Sequence, residues 1–136
     1  MAAKATCWEW RFAEAMRNDG QYQGQRILSP KTVAYMSTNP LPTGMIMGGF
    51  GEDPDGAPRD VGMGFGLGFG VITNPVANQV IGSVGEYSWG GAAGTVCWID
   101  PVEELVVVSM IQLMRSPWPL RSDLKVAVYQ ALDELY

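Results

Sequence analysis

Apolar positions along the chain recur at two different periods. Trp8, Phe12 and Met16 stand four residues apart, one apolar stripe of a helix. Thr6 and Glu9 frame its start as a capping box, hydroxyl first and carboxylate three residues on. Asn18-Asp19-Gly20 stops it. Ile27-Leu28 then runs into Ser29-Pro30, an N-cap followed by proline at the first helical position. Val33 and Met36 give this second helix a short apolar face. Asn39-Pro40-Leu41-Pro42 ends it, because the residue before a proline is pushed out of the α region.

Beyond residue 43 the period changes to two. Residues 44–70 hold ten of the seventeen glycines. Gly48 to Arg59 reads as a surface loop. Gly62, Gly64, Gly66, Gly68 and Gly70 alternate with Met63, Phe65, Leu67 and Phe69. That pattern predicts a strand with one bare and one apolar face. A bare face lets another backbone or a ligand approach closely. Gln79–Val84 reads as a short β-type stretch. Thr95–Ile99 and Leu105–Leu113 are the arms of a hairpin, with Asp100-Pro101-Val102-Glu103-Glu104 as its turn. The second arm is almost continuously apolar, as for a strand covered on both faces. Ser122 is placed to cap a last helix whose inward stripe is Leu124, Val128, Ala131 or Leu132, and Leu135. The order predicts an α+β protein with an antiparallel sheet flanked by helices. The segments fall in one domain over residues 1–136: helices over 6–43, a glycine-rich loop over 44–60, antiparallel strands over 61–114 and a closing helix over 122–136.

Composition narrows the chemistry. The net charge is −5 and no basic run occurs, which argues against a nucleic-acid partner. The longest apolar run, Leu105–Ile111, is far short of the roughly 18 residues of a membrane span. The first residues carry no apolar signal core, so the cytoplasm is the default expectation. Histidine is absent. That removes Ser–His–Asp and Cys–His triads and the commonest metal ligand. Cys7 and Cys97 lack the paired spacing of a zinc site and read as reduced, partly buried thiols. The eight methionines fit core filling. Neither a metal nor a cofactor is expected.

Three local patterns invite functional readings and fail. The glycine alternation never makes Gly-x-Gly-x-x-Gly, because Leu67, Phe69 or Val71 stands where glycine is needed. Ser122-Asp123-Leu124-Lys125 has the Ser-x-x-Lys spacing, in which a lysine can accept a serine proton if its pKa is lowered. A serine opening an amphipathic helix is better explained as a cap. Glu52-Asp53-Pro54-Asp55, Glu103-Glu104 and Asp133-Glu134 lie in a loop, a turn and a helix end, where carboxylates are solvated.

The informative segment is Gly-Glu-Tyr-Ser-Trp-Gly-Gly-Ala-Ala-Gly-Thr-Val-Cys-Trp-Ile-Asp-Pro, Gly85 to Pro101. It resembles the third motif region of β-lactamase-related serine hydrolases: class C β-lactamases, penicillin-binding proteins and family VIII-type carboxylesterases. The resemblance runs on through Leu105–Met114 and the last helix. Upstream it takes in Phe12 to Met36, with Gly24-Gln25-Arg26-Ile27-Leu28-Ser29-Pro30. It implies that Trp89-Gly90-Gly91 lies on the strand edging an active site, where β-lactamases carry Lys-Thr-Gly. The glycines let an acyl substrate lie along the strand, Trp89 walls the pocket, and the backbone N–H of Ala92 is an oxyanion-hole donor. The missing lysine removes the charge partner of a β-lactam carboxylate. That favours an esterase or transesterase over an efficient β-lactamase, with β-lactam or amide hydrolysis as the near alternative.

The resemblance also implies a nucleophile motif, Ser-x-x-Lys, and a Tyr-x-Asn or Tyr-x-Ser, both from chain N-terminal to these segments. Tyr35-Met36-Ser37 matches the latter by letter only. The resemblance thus implies a single partial domain over residues 1–136, the C-terminal portion of a β-lactamase/transpeptidase-like fold and part of a longer protein. It is expected to be without turnover alone, and to self-associate or pair with the missing part through its apolar strand. The rival expectation is a non-catalytic module that binds a peptide or small ligand along the Gly-rich strand edge.

Overall fold

A computed structural model describes residues 8–42, 62–114 and 116–133. The predicted cap at Thr6, the thiol of Cys7, the loop from Gly48 to Arg59 and Leu135 lie outside the described residues.

Helix α1 (Trp8–Arg17) buries Ala13, Ala15 and Met16, with Phe12 packed against the same core. Small alanines let this helix sit close to its neighbours. Trp8, assigned to the inward stripe by its spacing, is instead 70% exposed. The helix stops where predicted. Asp19 and Gly20 take positive φ of 52° and 84°, and the Gly20 N–H donates to the Ala15 carbonyl at 2.7 Å. A Cβ on Gly20 would stand 2.2 Å from the Leu28 carbonyl oxygen, so only glycine fits this close approach.

A tight hairpin that the apolar pattern did not announce follows, β1 (Gln21–Tyr22) and β2 (Gln25–Arg26). Its turn residues Gln23 and Gly24 both have positive φ, the conformation two-residue hairpins require. Helix α2 (Pro30–Met36) begins as the sequence predicts: the Ser29 hydroxyl accepts the Thr32 N–H at 3.1 Å.

The glycine alternation is not one strand. Strand β3 (Met63–Phe65) turns back through 66–69 into β4 (Gly70–Ile72), pairing Gly64 with Val71. Gly68 provides a positive φ in the turn. The bare face is filled by the chain itself. A Cβ on Gly64 would meet the Asn39 side chain at 2.2 Å, and one on Gly66 the Met36 carbonyl at 2.0 Å. The Phe65 N–H donates to Asn39 Oδ1 and the Leu67 N–H to the Met36 carbonyl.

The β reading of Gln79–Val84 is also corrected. Helix α3 (Pro75–Asn78), capped by Asn74, occupies the preceding positions. Turns and irregular backbone lead from it to β5 (Tyr87–Gly90). Val80 and Ile81 have β propensity but no partner strand. The hairpin is β6 (Val96–Asp100) and β7 (Leu105–Ser109). Its second arm ends at Ser109 rather than Leu113, and every residue in it is half-buried. Asp100 Oδ1 closes the turn by accepting the Val102 and Glu103 N–H groups at 3.0 and 3.2 Å.

Helix α4 (Leu120–Tyr129) starts two residues before Ser122, with Pro119 at the N-cap and no side-chain cap. Ser122 is therefore the third helical residue and does not cap. Leu124 and Val128 turn inward as predicted, joined by Lys125 and the buried Tyr129. Ala131 is exposed and lies past the helix end.

The five strands form one antiparallel sheet, β3-β4-β5-β6-β7. Register divides its faces. Val71, Tyr87, Ile99 and Val106 align across the strands and join Ala13, Met16 and Val33 in the core. Ser88, Trp98 and Val107 align on the other face, the side α4 reaches.

Candidate active site

Strand β5 ends on Trp89-Gly90, and Gly91 begins a turn. The turn runs Gly91-Ala92-Ala93-Gly94, closed by the Gly94 N–H on the Gly91 carbonyl at 3.1 Å. Gly94 takes φ 84°, while Ala92 keeps an ordinary negative φ. The Gly91 N–H is spent on Thr95, 3.0 Å to its carbonyl and 3.2 Å to its hydroxyl. The Ala92 N–H takes no partner among the described residues, and Ala92 is exposed. A fixed backbone donor left open at the end of a strand suits a developing oxyanion.

Trp89 is 52% exposed. Its ring meets Phe65 edge-on, with centroids 5.4 Å apart, a favourable aromatic geometry. The fold-back of β3 onto β4 thus supplies a second apolar wall. Phe65 belongs to the alternating tract, but nothing local marks it for the site. The residues picked from the sequence, Trp89, Gly90, Gly91 and Ala92, do fall together on one strand end and its turn.

Arg121, from the first turn of α4, reaches the same turn from the other side. Its Nη2 donates to the Gly91 carbonyl at 3.0 Å and the Thr95 carbonyl at 3.3 Å. A Cβ on Gly90 would lie 2.5 Å from that Nη2. The second residue of the Trp-Gly-Gly tripeptide must therefore be small to admit the guanidinium.

Beneath α4 lies a cavity of about 380 Å³, walled by Met63, Ile72 and Trp98 and bordered by Trp89, Gly90 and Arg121 of the same site. Beside it is a polar cluster that motif reading missed. Glu86 is 1% and Asp100 0% exposed. Lys125 Nζ lies 2.5 and 2.6 Å from the two Glu86 carboxylate oxygens and donates to the Ile81 carbonyl at 3.1 Å. The Tyr129 hydroxyl stands 2.5 Å from Asp100 Oδ2 and 3.1 Å from Glu86 Oε2. Burial pushes the Glu86 carboxyl above its usual range, outweighing the opposing pull of Lys125. Burial, with the Asp100 hydrogen bond second, raises the Tyr129 hydroxyl well above its ordinary value.

This arrangement removes the Ser-x-x-Lys reading of Ser122 and Lys125. The ammonium is held by Glu86 and Ile81, and its hydrogen bonds do not go to Ser122. No cluster of potential metal ligands occurs among the described residues. No described helix is long and apolar enough to cross a membrane.

In solved structures the sheet and its helices match the C-terminal region of β-lactamase-fold hydrolases. One is EstCE1, described as a hydrolase with promiscuous acyltransferase activity: TM-score 0.58, 23% identity, covering 84% of this chain and 26% of that one. Another is unliganded simvastatin synthase (LovD) of Aspergillus terreus: TM-score 0.62, 22% identity, covering 86% and 32%. These likenesses show the fold. No protein-family model matches the chain. Two curated Mycobacterium tuberculosis proteins do, protein Rv1367c of strain H37Rv and the uncharacterized protein MT1414 of strain CDC 1551. Each is 37% identical over 105 residues, 75% of this chain and 25% of its own length. The chain thus spans about a quarter of the length of the curated relatives it matches.

Proposed function

We propose that this chain is the C-terminal part of a serine hydrolase that cleaves carboxylic esters through an acyl-enzyme. It supplies the third-motif strand, Trp89-Gly90-Gly91, and the Ala92 N–H as an oxyanion donor. The serine and its base come from another part of the protein. Serine Oγ adds to the ester carbonyl, the carbonyl oxygen becomes an oxyanion facing Ala92, and collapse expels the alcohol. Water then releases the acid. The observation that carries this reading is the open Ala92 N–H in the turn that ends β5, beside the half-exposed Trp89. The expected room along the glycines is not there, because Arg121 and Thr95 fill the space at Gly90 and Gly91. Position 89 holds tryptophan rather than a cation, which favours an uncharged ester over a β-lactam bearing a carboxylate. EstCE1, described as a hydrolase with promiscuous acyltransferase activity, adds to it as analogy only.

The rival module, pairing a peptide or ligand along the Gly-rich strand edge, loses ground because the Phe65 and Leu67 N–H groups there already bond Asn39 Oδ1 and the Met36 carbonyl.

The test is Ala92→Pro in the parent protein. Ala92 follows the first residue of a four-residue turn and has negative φ, where proline is accepted. The substitution deletes the N–H and little else. Turnover of a nitrophenyl ester should fall by about 10²–10³ in kcat. An unchanged kcat removes Ala92 from the oxyanion hole.

A further inference from the structure

We propose that Arg121 is a positioning residue for the oxyanion donor, acting through the peptide between Gly91 and Ala92. The proposal rests on the hydrolase reading above. The Gly91 carbonyl and the Ala92 N–H belong to one planar amide unit, and this bond is trans. In a trans amide the C=O and N–H point in opposite directions. Whatever holds the oxygen therefore aims the hydrogen.

Two donors hold that oxygen, the Gly94 N–H at 3.1 Å and Arg121 Nη2 at 3.0 Å. The second is a cation. A charge-assisted bond to the carbonyl draws electron density from the amide nitrogen and makes its N–H a stronger donor. The same guanidinium ties the Thr95 carbonyl, which in turn holds the Gly91 N–H. Arg121 thus clamps both ends of the turn. Gly90 carries no side chain that would collide with it.

The Ala92 N–H is thus aimed away from the guanidinium that holds the Gly91 carbonyl.

The test has two readouts. In this chain, isotope-labelled for NMR, Arg121→Gln should move the Gly91 carbonyl and Ala92 amide-proton resonances upfield while those of Ile99 and Val106 stay in place. Arg121→Lys should restore part of the shift. In the parent hydrolase, Arg121→Gln should lower kcat about 10-fold with KM nearly unchanged, as for an interaction made in the transition state, and Arg121→Lys should fall between. Unmoved resonances, or moved resonances with unchanged kcat, overturn the proposal and leave the hydrolase reading standing. A parent with no ester turnover overturns both.

Discussion

Under the last helix two carboxylates, an ammonium and a phenol share one buried cluster. Glu86 is balanced by Lys125, whose side chain is 12% exposed. Removing one partner of such a pair leaves a buried charge uncompensated, which costs about 3–5 kcal/mol. Lys125→Met should therefore lower the urea-unfolding free energy by about that much. Adding Glu86→Leu should recover most of it, because the second change removes the stranded charge. Equal losses in the single and double variants would mean the pair contributes by packing alone. The phenols add a pH dependence. Burial raises Tyr87 and Tyr129 above their ordinary value, so the folded chain keeps both protons after the unfolded chain has lost them. Their contribution is complete below about pH 10 and is lost as pH rises beyond it. Unfolding free energy should fall above about pH 10, less steeply in Tyr129→Phe, and a flat profile there would contradict the burial. None of this cluster was legible in the sequence. Glu86 precedes β5, Asp100 ends β6, and only Lys125 and Tyr129 share an element, α4, so no local run of residues announces the cluster. Trp89 to Ala92 could be singled out from the sequence because they are consecutive residues of one short motif.

Elements with local signals formed where the sequence placed them. The Ser29 cap with Pro30 behind it opens α2, and Ser29→Ala should cost about 1 kcal/mol in thermal or urea unfolding without moving the β5 turn. No change would mean the Ser29–Thr32 bond adds nothing. Elements that depend on distant partners were misplaced. A glycine every second residue suits a strand and a tight turn equally, so the fold-back at 66–69 carried no separate mark. The segment 79–84 has strand-like residues but no neighbour to pair with. Ser122 resembled a cap because the helix start at Pro119 offers no side-chain acceptor to announce it.

At the scale of the molecule, β3 and β7 are the edges of the sheet among the described residues. Strand β7 is half-buried throughout, and Met110, Leu113 and Met114 beyond it are exposed. An apolar edge of this kind invites pairing with another chain. Sedimentation of the isolated chain should show mass rising with concentration, and a concentration-independent monomer would count against an open edge. The antiparallel α+β architecture was readable from residue periodicity and turn chemistry. What lies across the free edge was not, because a strand records its own pattern and not its neighbour's.

The most direct test of the central claim is labelling of the parent protein with an active-serine phosphonate, followed by peptide mapping of the adduct. The account predicts one adduct, on a serine of a Ser-x-x-Lys motif outside these 136 residues, and weaker labelling in Ala92→Pro. An adduct on Ser122, or none on any serine, would contradict it.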